Sequence, residues 1–242
     1  MRTIRIYQSG NYHTGQLLEL SPEASQHVGV VLRMQVGEQL ILFCGDNREF
    51  NATIETVKKK QVRVVVGSVK DKSCESPLTI HLAQAISKGE RMELVMQKAV
   101  ELGVASITPI ITERCVVKLD KERITKKLNQ WRAIVIAACE QSGRNTVPIV
   151  YQPVSLEHYL REVKAKLKFI LHPIGEKTWR DYDIGNSVIA LLIGPEGGLS
   201  DNEVECAGEY GFQPLSLGPR ILRTETAAIT ALSVLQAVGG DL

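Results

Sequence analysis

Over the first seventy residues apolar and polar positions alternate in short runs. Gln39–Phe43, Phe50–Val57 and Gln61–Val66 read as strands, rich in β-branched residues and separated by turns such as Cys44-Gly45-Asp46-Asn47. Lys58-Lys59-Lys60 falls between the last two as a hairpin tip, and the opening segment through Ile6 reads as a further strand. One helix interrupts them. Ser21 offers a capping hydroxyl, Pro22 occupies the first helical position, and Glu23 places an acid in the first turn. Short strands at turn spacing predict a small β-barrel over residues 1–70. The polar stretch that follows predicts a linker at 71–77.

From Leu78 the pattern changes. Thr79–Gln84, Ser106–Ile111, Lys168–Leu171, Val188–Ile193 and a segment near Leu215 are nearly unbroken apolar runs. Helical spacing fills the gaps between them. Residues 88–102 carry Met92, Val95, Met96 and Ala99 on one face, with Gly103 as a stop. Asp120 caps a long helix with Ile124, Leu128, Trp131, Val135 and Ala138 on one side, so Trp131 belongs to the core and not to a surface platform. Ser200 and Glu203 form a capping box, and Thr224–Val238 makes the last helix. Continuous apolar strands alternating with helices predict an α/β domain at 78–242, a mostly parallel sheet with helices on both faces.

The chemistry gathers at two strand ends. Leu191–Ile193 runs into Gly194-Pro195-Glu196-Gly197-Gly198, and Leu215–Leu217 runs into Gly218-Pro219-Arg220-Ile221-Leu222. In parallel sheets ligands bind at the carboxyl ends of the strands. Neither loop has the Gly-x-Gly-x-x-Gly spacing of a dinucleotide fold or the Lys-Ser/Thr of a phosphate loop. Glu196 would repel phosphate, so a neutral or cationic ligand fits better. S-adenosyl-L-methionine is such a ligand: Ile193, Leu217, Ile221 and Leu222 offer apolar walls for its adenine. Tight strand–helix turns without a ligand are the plain alternative.

Composition narrows the reading further. The 242 residues are 44% hydrophobic, and no apolar run is long enough to span a membrane. The opening residues lack a signal-peptide core, and the five dispersed cysteines follow neither metal-ligand nor disulfide-scaffold spacing; a cytoplasmic protein without metal is expected. Charge is uneven. Residues 1–145 hold 21 basic and 15 acidic side chains, and residues 146–242 hold 8 and 12. A polyanion partner suits the basic part, and so does ordinary solvated surface.

Leu192–Ser200 and Leu217–Ala227 resemble the signature loops of SPOUT-class RNA methyltransferases, most closely the RsmE type, which methylates uridine N3 in small-subunit ribosomal RNA. The run Arg223-Thr224-Glu225-Thr226-Ala227 separates this type from the 2′-O-ribose branch. The likeness extends to Gln97–Gly103, Glu113–Cys115 and Glu140–Arg144, and hence to nearly the whole chain. The N-terminal barrel is similar to the PUA-like, RNA-binding domain of that type. The resemblance implies a C-terminal trefoil knot, a homodimer, and S-adenosyl-L-methionine as donor to N3 of a uridine in 16S ribosomal RNA. Together with the loop reading it gives a cofactor set of Leu171, His172, Ile193, Gly194, Glu196, Gly197, Gly198, Leu217, Gly218, Ile221, Leu222 and Thr226.

Uridine N3 must lose a proton before it attacks a methyl group. Arg223 and Glu225 follow the second loop and are the catalytic candidates, Arg223 to stabilise the anion and Glu225 to orient it or take the proton. Capping is the competing account, with Thr224 as N-cap and Glu225 as first-turn acid. Arg114, Arg132 and Arg144 are the candidate phosphate contacts, or else surface charges. Methylation of transfer RNA or of a ribose 2′-hydroxyl, a sugar-phosphate binder, and a non-enzymatic RNA assembly factor are the alternatives.

Overall fold

A computed structural model describes residues 4–58, 61–115, 121–172 and 177–242, with only the backbone of Lys121. Lys59, Lys60 and the Asp120 cap lie outside the described residues. The chain divides into two compact units, residues 1–75 with 139–147, and residues 76–138 with 148–242. The first unit therefore takes a segment from the middle of the sequence, inside the range expected for the α/β domain.

Five strands build the sheet of the first unit: β1 (Arg5–Tyr7), β2 (Leu17–Glu19), β3 (Gln39–Phe43), β4 (Arg48–Lys58) and β5 (Gln61–Asp71). Their order is β1-β3-β4-β5-β2, with β1 parallel to β3 and the other pairs antiparallel. The expected small barrel is this mixed sheet, with β1 and β2 as its end strands. Register shifts at Phe50/Ala52 and Ile54/Thr56 bend the long β4–β5 ribbon. Alternation sends Leu40, Leu42, Phe50, Ile54, Val62 and Val64 into one core with Ile6 and Val28. Helix α1 (Pro22–Gln26) begins as the sequence predicts, with the Ser21 side chain accepting from the Ala24 N–H. Strand β5 reaches Asp71, so it absorbs the start of the expected linker.

The same unit holds the segment 139–147 by polar contacts. Glu140 Oε1 accepts from the Tyr7 N–H at 2.9 Å, and burial pushes that carboxyl above the usual carboxylate range. Arg144 is 3% exposed and makes a two-pronged ion pair with Glu75, its Nε lying 3.0 Å from Oε1.

Seven strands build the second unit: β6 (Thr79–Ala85), β7 (Ser106–Ile111), β8 (Ile149–Val150), β9 (Val154–Ser155), β10 (Leu167–Leu171), β11 (Val188–Ile193) and β12 (Gln213–Leu215). All pair in parallel, in the order β12-β10-β11-β6-β7-β8, with β9 beside β7. Strand β11 is central, and its residues from Ile189 onward are buried, as an unbroken apolar run requires.

Helices cover both faces. Ala83, Ile110, Ile170, Ala190 and Leu192 pack under α4 (Leu156–Glu162) and α5 (Asp201–Glu209). On the opposite side α2 (Glu90–Glu101) packs against α6 (Thr224–Gly239), and α6 also touches β11. The chain thus leaves edge strand β12 and returns to the centre of the sheet. Buried Gln236 fastens that return, donating to the Leu102 carbonyl at 2.9 Å and accepting from Ser76 Oγ at 2.6 Å. Gly103, at φ +75°, leaves room for this amide: a Cβ there would lie 2.7 Å from Gln236 Nε2. Helix α3 (Lys121–Ser142) buries Leu128, Trp131, Val135 and Ala138, the stripe the sequence predicts.

Candidate active site

Because the strands are parallel, the segments after β6, β10, β11 and β12 emerge at one edge of the sheet. The two Gly-Pro loops meet there. Between them lies a cavity of about 570 Å³, and beside it a smaller one of about 100 Å³. Leu171, His172, Ile221, Leu222 and Ala227 line both. Ile193, Gly194, Glu196 and Gly198 line the larger, and Leu217 and Gly218 the smaller.

Backbone conformation explains the glycines. Gly198 sits at φ +69° and Gly218 at φ +112°, where a side chain is strained. A Cβ on Gly194 would lie 3.1 Å from Leu199 Cγ and 3.2 Å from its nitrogen, so the first loop is closed too tightly for a side chain. The Ser200–Glu203 capping box forms as predicted, and Glu203 Oε1 also accepts from the Glu113 N–H at 2.8 Å.

Four site residues behave differently from the expectation. Glu196 is not a lone carboxylate awaiting a cation. Its Oε1 accepts from the Lys88 N–H at 3.0 Å and from Arg91 Nη1 at 2.9 Å. Partial burial works to raise its pKa, but these bonds and one from its own N–H outweigh it, and the carboxyl titrates below the usual range. Gly197 is outside the cavity lining, with its carbonyl accepting from Arg114 Nη1 at 3.0 Å. Thr226 is exposed on α6 and outside the lining, because the helical turn carries it away from the loop. Ile221 stands at the mouth with 88% of its surface exposed, so it forms a rim and not a wall.

The capping account of the last helix also changes. Arg223, not Thr224, is the N-cap, and it makes no side-chain capping bond. Thr224 is buried, donates its hydroxyl to the Gly194 carbonyl at 2.7 Å, and accepts from Gln84 Nε2 at 3.0 Å. One hydroxyl therefore ties the first loop to the start of α6 and to the end of β6. Arg223 and Glu225, on either side of it, both line the larger cavity. Glu225 Oε2 is buried and, among the described residues, has no hydrogen-bond partner. An orphaned buried oxygen costs on the order of 1–3 kcal/mol, and groups left in that condition concentrate where a ligand will complete them.

The donor set fits a nucleoside cofactor: apolar side chains at Leu171, Ile193 and Leu222 and close backbone at Gly194 and Gly198, with the unsatisfied Glu225 carboxylate left over for a second reactant. Residues 74–236 match the RNA methyltransferase domain family, and residues 20–67 match the RNA methyltransferase PUA domain. A Buchnera aphidicola ribosomal RNA small subunit methyltransferase E is 38% identical over 242 residues, 100% of this chain and 98% of the relative. The chain belongs to the ribosomal RNA small subunit methyltransferase E family. A Neisseria gonorrhoeae structure of that enzyme bound to S-adenosyl methionine is 38% identical, with a TM-score of 0.93 and 100% of both chains covered. A Legionella pneumophila methyltransferase structure with bound cofactor SAM is 68% identical, with a TM-score of 0.99, again over 100% of both chains.

The family's RNA contacts were expected at three arginines, and one is displaced. Arg144 is committed to the ion pair with Glu75 and is nearly sealed from solvent, so it cannot reach a phosphate. Arg114 bonds the carbonyls of Gly197 and Leu199 at 3.0 and 3.3 Å while lining the larger cavity, which makes it a brace for the first loop. Arg132 is exposed, with a bond from Nη2 to the Val150 carbonyl at 3.3 Å. Arg91 and Gln84 were not singled out from sequence. Their partners Glu196 and Thr224 lie more than a hundred positions away, beyond any local signal.

Proposed function

We propose that this chain transfers a methyl group from S-adenosyl-L-methionine to N3 of a uridine in 16S ribosomal RNA. The observation that carries the reading is the unpartnered Glu225 carboxylate in the cavity between the Gly-Pro loops, in a chain whose relatives are crystallised with that cofactor. The cofactor supplies a methyl carbon activated by positive sulfur and departs as a neutral thioether. Leu171, Ile193 and Leu222 hold its adenosine, with Leu217 and Gly218 closing the smaller cavity.

The chain's own work is orientation and charge. Glu225 takes the N3 proton of the uridine, and N3 then forms its bond to the methyl carbon as the carbon–sulfur bond breaks. The Arg223 guanidinium stabilises the negative charge that N3 and the flanking carbonyls carry before transfer. Arg132 and the first unit bind RNA through phosphates, which position without specifying sequence.

A second copy of the chain completes the site. Arg223 and Glu225 also line a cleft of about 580 Å³ with Leu94 and Ile134. Leu94, which lines this cleft, is 39% exposed, an apolar position suited to an isologous partner. The protein should sediment as a dimer at micromolar concentration, and a monomer with full activity would refute this part. The cytoplasm is the compartment proposed; among the described residues no helix is long and apolar enough to cross a membrane.

The assignment itself is tested by calorimetry and mass mapping. S-adenosyl-L-methionine should bind in the micromolar range and ATP should not. Ribosomal RNA from a strain lacking the endogenous enzyme should gain one N3-methyluridine when this chain is supplied. ATP binding without S-adenosyl-L-methionine binding, or no new methyluridine, would overturn it.

A further inference from the structure

We propose that the turn at Trp179 and Arg180 is a stacking platform for a nucleobase that flanks the target uridine. The inference rests on the reading of RNA as substrate and adds a contact that neither the loops nor the family likeness supplied.

The turn is fixed from three directions. Thr178 and Asp181 form a capping box, with the Thr178 N–H donating to Asp181 Oδ2 at 2.7 Å and the Arg180 N–H donating to Thr178 Oγ1 at 3.3 Å. The Tyr182 ring meets buried Phe169 of β10 edge-on at 4.8 Å. The Ser216 N–H donates to the Lys177 carbonyl at 3.1 Å, which joins the turn to the strand end leading into Gly218. The fixed turn presents an indole and a guanidinium stacked with 4.1 Å between Arg180 Cζ and the ring centroid.

Trp179 is only partly buried and Arg180 is exposed, and among the described residues no carboxylate pairs with Arg180. Aromatic rings and guanidinium planes are the surfaces on which unstacked RNA bases settle, and this turn presents both within contact distance. The surroundings favour an anionic chain: Lys177, two residues before Trp179, is exposed, and so are Arg220 and Arg223, which line the two cavities. A uridine drawn into the cavity leaves its neighbour unstacked, and the platform receives that neighbour.

Two tryptophans make the test direct. Trp131 is 2% exposed, so Trp179 is the accessible reporter. In a Trp131→Phe protein, adding small ribosomal subunits should quench the remaining fluorescence in a saturable manner. In the otherwise wild-type chain, Trp179→Ala should raise the KM for RNA about thirtyfold, the middle of the range for loss of one stacked base. Trp179→Phe should recover most of that loss and Trp179→Leu should not, because stacking needs a ring and packing needs only bulk. Affinity for S-adenosyl-L-methionine should stay within twofold in every variant. An unchanged KM in Trp179→Ala, or equal rescue by Phe and Leu, overturns the platform. Absence of RNA methylation by the wild-type chain would instead overturn the functional reading.

Discussion

Replacing Arg223 with Ala, or Glu225 with Gln, should lower single-turnover methyl transfer roughly a hundred- to ten-thousandfold, while S-adenosyl-L-methionine binding changes little. The size follows from the roles. Loss of a positioned proton acceptor, or of a preorganised group facing developing charge, costs turnover on that scale. Binding is spared because the walls at Leu171, Ile193 and Leu222 and the backbone of the two loops are untouched. The competing account gives a different result. If Glu225 served only the positive end of α6, its replacement by Gln would cost about 0.3–1 kcal/mol of stability and leave turnover intact. The structure removes Thr224 from that account, since its hydroxyl is spent on Gly194 and Gln84, but keeps Glu225 as the acid in the first turn of α6, so the kinetic comparison decides. Stopped-flow or quenched-flow transfer at saturating cofactor, beside calorimetry, separates the two. Wild-type turnover in both variants would remove Arg223 and Glu225 from the chemistry.

The second large effect is on stability. Arg144→Ala should destabilise the protein by about 2–4 kcal/mol in urea unfolding, by stranding Glu75 next to the cavity the guanidinium leaves. The estimate sits below the figure for a fully sealed pair, because the Glu75 side chain keeps 26% of its surface in contact with water. Arg144→Lys should recover only part of the loss, since an ammonium cannot reproduce the two-pronged bond. The salt dependence of RNA binding should not change in either variant, because a buried side chain holds no phosphate. A reduced salt slope with unaltered stability would return Arg144 to the RNA interface.

Much of the second unit could be read directly. Val188–Ile193 is apolar without a break, and only a strand covered on both faces tolerates that. The Ser200–Glu203 box and the Trp131 stripe were legible for similar reasons, since each is a local pattern with a local cause. Other elements were too short to show a period: β8 and β9 have two residues each and α4 has seven. The site failed to declare itself wherever charge met a distant partner. Arg144 sits in a polar stretch and looks solvated, yet Glu75 lies 69 positions away. Glu196 looked like an invitation to a cation until Arg91 was seen bonded to it. Thr224 had the right chemistry for a cap one residue too late, because the hydroxyl was needed by the first loop. Spacing locates a crevice; it does not reveal which side chains the fold has already used.

The first unit's reliance on residues 139–147 sets an order of events during synthesis. A ribosome that has released only the first 75 residues has delivered the five strands but not Glu140 for the Tyr7 N–H, nor Arg144 for Glu75. Until residue 147 clears the exit tunnel the nascent sheet waits with those partners missing. A fragment cut at residue 75 repeats that unfinished state permanently, and should unfold at lower urea than the same unit in the intact chain.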